Sequence, residues 1–288
     1  MKQIGVALYN DFRGSIESFF NFLQKLGVDY VEIGKEWIPS SSEVSVMRDL
    51  LDIYELRANL HISYQYNMIE TDERKWKRNL LGVLGDLSIC YDLNIENAVL
   101  HCGWIARDDN TPHKLQEDFI RFSEAYNIIY DFSRDFGVNV GLENQSSIGG
   151  QHNIFLESQA SSEIKSISEG WEQYLFQKSD DVDTLSEIIG EDILFVLDVG
   201  HLGVSHGSLE DMVKRMGDNL LGIHIHDYDN CGRDHLPLGT GKLDMDNLFS
   251  LIRDKDLFIT LENRSTPNIK YSILHSPLAR LCHPINKI

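Results

Sequence analysis

The sequence predicts a single (β/α)8 barrel, and two observations carry that prediction. Short β-rich runs alternate with helical periodicity throughout the 288 residues, and eight such runs are present. Ionisable side chains collect at the C-terminal ends of these runs, where a parallel barrel gathers its chemistry.

The first run, QIGVAL (3–8), leads into an amphipathic helix with Ile16, Phe19, Phe20, Leu23 and Leu26 on one face. Gly27 stands where a left-handed cap is expected to close it. The runs DYVEIG (29–34), RANLHIS (57–63) and NAVLHCG (97–103) follow. A second clear helix carries Leu115, Phe119, Phe122, Ile129 and Phe136, opened by Thr111-Pro112 and ended by Gly137. The last four runs are NVGLENQ (139–145), ILFVLDVGH (193–201), LLGIHIHD (220–227) and LFITLENR (257–264). Strict alternation implies parallel strands with right-handed crossovers, and eight units in so short a chain favour a closed barrel over an open doubly wound sheet. One connection is long. Between Gln145 and about residue 180 lie Ser146, Ser147, Gly149 and Gly150, then Ile164, Ile167, Trp171 and Leu175 at apolar spacing. This segment reads as a lid or side wall over the barrel mouth, or as an inserted helix on the flank. Residues 1–288 are thus expected to form one barrel domain with an inserted loop or helix at about 146–180.

Composition narrows the function classes. With 42% apolar and 25% charged residues the chain can bury a large core. No apolar run reaches the roughly 18 residues of a membrane span, and the opening MKQIGVALYNDF lacks a signal-peptide pattern, so a cytoplasmic, non-membrane protein is expected. Cys90, Cys102, Cys231 and Cys282 are scattered singly, which suggests reduced thiols and no thiolate zinc knuckle. A net charge of -19 repels a phosphate backbone, so a nucleic-acid partner is disfavoured.

Side-chain alternation then sorts the strand ends. In LLGIHIHD, Ile223 and Ile225 face the helices while His224 and His226 face the axis; the same parity turns Glu143, Asp198 and Glu262 inward. Three carboxylates crowded at the mouth of a low-dielectric barrel repel one another unless protonated or bridged by a cation. A divalent metal held by Glu143, Asp198, His224 and Glu262 resolves the conflict, and such a donor set suits manganese, magnesium, cobalt or zinc. His61, His101, His201 and His235 lie on neighbouring strand ends and can complete a second site sharing Glu143 or Asp198, giving one or two ions per chain. His226 and Asp227 read either as support for the ligands and substrate or as ordinary polar residues. His113, His152, His206, His275 and His283 read as surface or packing residues, and Cys102 as packed outward. After the seventh run the loop DNCGRDHLPLGTGKLD carries Gly232, Gly239 and Gly241, which allow either phosphate binding or ordinary turns. Arg233 is the candidate there for gripping a phosphate or hydroxyl group.

Read in order, LHIS, VLHCG, GLENQ, LDVGH, GIHIHD, DHLPLGTGKLD and TLEN resemble the xylose isomerase-like barrel superfamily, from the third strand to the eighth. This superfamily includes sugar isomerases and epimerases and the apurinic endonucleases of the endonuclease IV type. The resemblance implies that Glu143, Asp198, His224 and Glu262 are the common metal ligands and that His201 lies close to ligand or substrate. It also implies that His61, His101 and His235 match further metal-binding histidines of the endonuclease branch. That branch has a metal-binding Asp two residues before the last of these, where this sequence has Arg233, with Asp234 one position off. In the epimerase branch two glutamates on opposite faces of a metal-held ketose move a proton at carbon; here they are Glu143 and Glu262, with Arg233 matching an arginine after the metal-binding histidine. The expected function is a divalent-metal-dependent isomerase or epimerase of a sugar, sugar phosphate or related polyol, with a small sugar-like partner and a homo-oligomer as an option. The alternatives are a metal-dependent phosphoesterase, a lyase, and a barrel that binds a ligand without chemistry.

Overall fold

Eight parallel strands close into a barrel: β1 (Gln3–Ala7), β2 (Tyr30–Ile33), β3 (Arg57–His61), β4 (Asn97–His101), β6 (Asn139–Glu143), β8 (Leu194–Asp198), β9 (Leu220–Ile225) and β10 (Phe258–Leu261). They hydrogen-bond in the order β1-β10-β9-β8-β6-β4-β3-β2, with β5 (Trp104–Ala106) and β7 (Trp171–Tyr174) forming a separate two-stranded antiparallel sheet. The computed structural model describes residues 3–9, 12, 14–34, 37, 39–40, 42–106, 112–146, 171–190 and 192–282. Thr111, Ser147, Gly149, Gly150, His152, Ile164, Ile167 and His283, named above, lie outside the described residues, as do the side chains of His113 and Trp171.

Helix ends follow the sequence signals. The helix α1 (Ile16–Leu26) starts at Ser15, whose side chain accepts from the Ser18 N–H, and ends at Gly27 with φ 71°, a conformation that costs glycine nothing. Phe19, Phe20, Leu23 and Leu26 form its buried face, matching the expected stripe. The long helix Pro112–Asp135 likewise stops just before Gly137, at φ 70°.

Alternation divides each strand between two cores. Val31, Leu60, Leu100, Leu142, Leu197, Ile223 and Leu261 point outward into the main core under the helices. Inside the barrel, Tyr30, Val99, Val196 and Phe258 form a small cluster contributed by alternate strands, the layered filling expected of an eight-stranded barrel. Intervening strands offer glycine at this level: a Cβ on Gly5 would stand 2.2 Å from the Tyr30 ring, and one on Gly222 would stand 2.3 Å from the Phe258 ring.

One expectation is corrected. The run ILFVLDVGH does not continue as a strand to His201, because the Asp198 carboxylate accepts the His201 N–H at 2.7 Å and caps a short helix, Val199–Val204. At the described end of the long connection, Trp104 pairs with Tyr174, and the Leu175 N–H donates to the Gly103 carbonyl at 3.0 Å. Among the described residues no helix is long and apolar enough to cross a membrane.

Candidate metal centre

Strand register assembles the site. His101 on β4 is the Cα partner of Glu143 on β6, and Asp198 on β8 is that of His224 on β9. Glu262 follows β10 directly. As a result one donor atom each from Glu143, Asp198, His224 and Glu262 lies within 4.8 Å of the others. His224 Nδ1 is 2.8 Å from Glu143 Oε1 and 3.1 Å from Glu262 Oε1. The other Glu143 oxygen is 2.6 Å from His101 Nε2 and 3.3 Å from both His61 Nε2 and the Gln145 amide, so Glu143 bridges two groups of imidazoles. His61, His101 and Glu143 also meet the geometry of a metal-binding group.

A second cluster adjoins the first through Asp198. Its carboxylate lies 3.2 Å from His201 Nδ1 and 3.0 Å from His226 Nε2. The rings of His226 and His235 stack at 4.1 Å. The His235 backbone N–H donates to His226 Nδ1 at 2.8 Å, so a neutral His226 carries its proton on Nε2 and presents it to Asp198. His226 is fully buried. His201, His226 and His235 together still bring three imidazole nitrogens within metal-binding distance of one another.

Electrostatics balance acids against imidazoles. Burial raises the Glu143 carboxyl, but His224 and His101 outweigh it and hold the group well below the ordinary carboxylate range. Asp198 and Glu262 are lowered in the same way, against burial, by His201 with His226 and by His224 respectively. Burial opposes charge on His224 too, yet Glu262, Glu32 and Glu143 push it well above its usual value. His61 and His226 are raised to about 9, against burial, by Glu143 and by Asp198 respectively. His101 is lowered by burial, and His235 well lowered by burial together with Arg264, His226 and His201. The imidazoles offset the carboxylates here, as a divalent cation would, so this set of carboxylate and imidazole donors fits a metal.

Two asparagines, Asn144 after Glu143 and Asn263 after Glu262, fix the neighbouring backbone. Asn144 donates its amide to the Asp198 carbonyl at 3.0 Å and accepts the Asp198 N–H at 2.8 Å. Asn263 donates to the carbonyls of His235 and Leu236 at 3.2 and 2.9 Å and accepts the Ser272 hydroxyl at 2.6 Å.

The loop after β9 departs from the simplest reading. Gly239 and Gly241 donate their N–H groups to Asp227 Oδ2 at 3.0 and 2.7 Å, while Tyr228 and Leu243 donate to Oδ1, so these amides already hold a buried carboxylate instead of a phosphate. Arg233 is half exposed and paired with Asp229 at 2.5 Å, on the open side of the loop. Asp234, its neighbour, turns inward to within 3.9 Å of His235 Nε2. His206 and His275 are exposed, as surface residues should be, and Cys102 is buried in the outer core. Glu32, which the motif fragments did not single out, also reaches the site: its Oε2 is 3.2 Å from His224 Nε2.

The family model described as the xylose isomerase-like TIM barrel matches residues 20–275. The chain belongs to this family. Two uncharacterised proteins of Methanocaldococcus jannaschii are similar in sequence: one is 23% identical over 233 residues, covering 78% of this chain and 71% of its own length. The other is 22% identical over 277 residues, covering 94% and 95%. Among solved structures, a D-tagatose 3-epimerase-like protein superposes with a TM-score of 0.75 at 19% identity over 99% of this chain and 98% of the other. The 3-keto-D-glucoside 4-epimerase of E. coli superposes with a TM-score of 0.73 at 14% identity, over 95% and 100%.

Proposed function

We propose that this chain is a divalent-metal-dependent isomerase or epimerase of a sugar, sugar phosphate or related polyol. One observation carries the reading: two carboxylates, the buried Glu143 and the partly buried Glu262, reach the same His224 nitrogen from β6 and from the end of β10, strands separated in the barrel by two others. A ligand held between them has an acid or base on each side. The sugar epimerases among the superposed structures support the choice of substrate class.

Glu143, Asp198, His224 and Glu262 would hold the ion, one or two per chain, of manganese, zinc, magnesium or cobalt. When bound, it supplies Lewis acidity toward adjacent substrate oxygens. The protein supplies the rest. One glutamate takes the proton from the carbon beside the carbonyl, and the other returns it, on the opposite face for epimerisation. Glu262 is 13% exposed and Glu143 only 1%, so a proton on Glu262 meets solvent far more readily. Asn144 and His226 hold Asp198 still, and Gln145, His61 and His101 do the same for Glu143. We further assign the chain to the cytoplasm as one barrel domain with an insert at about 146–180, and treat Arg233, His201 and His226 as neighbours of the substrate or of its ligands.

The extra histidine groups around Glu143 and Asp198 favour a second reading, metal-dependent phosphoester hydrolysis. One experiment separates the two. Metal-loaded protein is incubated in deuterated water with a panel of ketoses and aldoses, and in parallel with phosphoesters including DNA carrying an abasic site. Sugar turnover with deuterium at the carbon beside the carbonyl is expected; phosphoester cleavage without sugar turnover overturns the isomerase reading.

A further inference from the structure

Glu32 is a buried carboxylate outside the four-residue donor set of Glu143, Asp198, His224 and Glu262. It sits inward on β2 with its side chain 1% exposed. Oε2 takes two contacts, His224 Nε2 at 3.2 Å and the Thr260 hydroxyl at 3.0 Å, while the buried Oε1 has no hydrogen-bond partner. The contact spans the barrel, since β1 and β10 lie between β2 and β9. Thr260 has one hydroxyl proton and gives it to Glu32, so its oxygen accepts from the Tyr30 phenol at 2.7 Å. The line of donors therefore runs from Tyr30 to Thr260 to Glu32. Gly5, register partner of both Tyr30 and Thr260, provides the space for the Tyr30 ring.

A carboxylate can only accept from an imidazole. Facing Glu32, His224 Nε2 must carry a proton, which leaves Nδ1 to face Glu143 and Glu262. Burying a carboxyl with one oxygen unpaired is a costly way to fill space; an apolar or amide side chain of similar size fills it at less cost. The oxygen that does have partners is the one turned to His224.

We propose that Glu32 is the positioning residue of the metal centre, holding His224 as the Nε2–H tautomer and aiming Nδ1 at the ion. The inference rests on the metal reading given above. Carboxylates behind metal-binding histidines typically contribute about 10- to 100-fold in metal affinity.

The test uses the full chain stripped with chelator and titrated with cobalt(II) by calorimetry, as wild type, Glu32→Gln, Glu32→Asp and Asn59→Ala. Asn59 is the register partner of Glu32 on β3, and its amide nitrogen makes no hydrogen bond, so it reports general loosening of the barrel interior. Glu32→Gln is expected to weaken cobalt binding about 10- to 100-fold, Glu32→Asp by less, and Asn59→Ala by less than about threefold. In the zinc-loaded wild type, long-range 1H–15N correlation on 15N-histidine protein should find the His224 proton on Nε2. Wild-type affinity in Glu32→Gln, an equal loss in Asn59→Ala, or a proton on Nδ1 of the metal-bound His224 overturns the role of Glu32. The tautomer measurement decides even where Glu32→Gln does not fold. Wild type that binds neither metal overturns the metal reading itself, and this inference with it.

Discussion

Asn144→Ala removes both hydrogen bonds that hold the Asp198 backbone, the 3.0 Å bond to its carbonyl and the 2.8 Å bond from its N–H. Asn144 is fully buried, so no water replaces the lost amide at the surface. Each buried polar group left unpaired costs about 1–3 kcal/mol, which puts the expected loss at about 2–6 kcal/mol for the two. At roughly 2–4 °C per kcal/mol for a domain approaching this size, the melting point should fall by about 4–24 °C. The assay is thermal melting of chelator-treated protein, followed by circular dichroism, so that metal binding does not contribute. Asn144→Asp provides the finer contrast: it keeps the acceptor for the Asp198 N–H but sets a carboxylate against the Asp198 carbonyl, and should destabilise at least as much. A drop below about 2 °C in Asn144→Ala would refute the reasoning, because it means the backbone of Asp198 is held by something else.

Three further outcomes are expected. Adding manganese or zinc to stripped protein at about 100 times Kd should stabilise it by about 2.7 kcal/mol, read as a rise in melting temperature, and His224→Ala should abolish that rise while the exposed His275→Ala leaves it intact. Stability of the metal-free protein should fall with rising pH: His61 and His226 titrate near 9 when folded and near 6.5 when unfolded, so their contribution is complete below about 6.5 and lost on passing 9. The His61 proton competes with a metal bound beside Glu143, so apparent metal affinity should climb through that window, and a pH-independent affinity from about 6.5 to about 9 argues against His61 as a ligand. Glu143→Gln and Glu262→Gln, with metal content verified in each, should both lower sugar turnover by about 10²- to 10⁴-fold, and full activity in either one removes it from proton transfer.

Much of this architecture is legible in the sequence because a barrel enforces two periods at once. Leu142, Leu197 and Leu261 alternate with Glu143, Asp198 and Glu262, and that alternation alone places three acids on the axis. What escapes is the point where one residue serves two purposes. Asp198 is both a candidate ligand and a helix cap, so the apolar run VLDVGH reads as one strand although the chain turns helical at Val199. Glu32 was available from the same parity, since Tyr30 and Glu32 alternate with Val31 and Ile33, but a lone acid ending a short strand gives no hint that it reaches His224 across the barrel. The direction of Arg233 was not available at all: Asp229 takes the N–H groups of Cys231 and Arg233 as well as the Arg233 guanidinium, and this fold of the loop decides that Asp234 turns inward.

The small apolar cluster of Tyr30, Val99, Val196 and Phe258 seals the barrel axis beneath the charged groups. Such a floor is a poorly polarisable wall on one side of a charge, and field lines from anything held above it spread toward the side that opens to water. A cation bound above it would therefore project its potential outward through the mouth, with little reaching the opposite face. Three carboxylates surround that position, so a divalent cation would offset most of their charge and leave the mouth far less repellent to electron-rich oxygens than the rest of a chain whose net charge is -19.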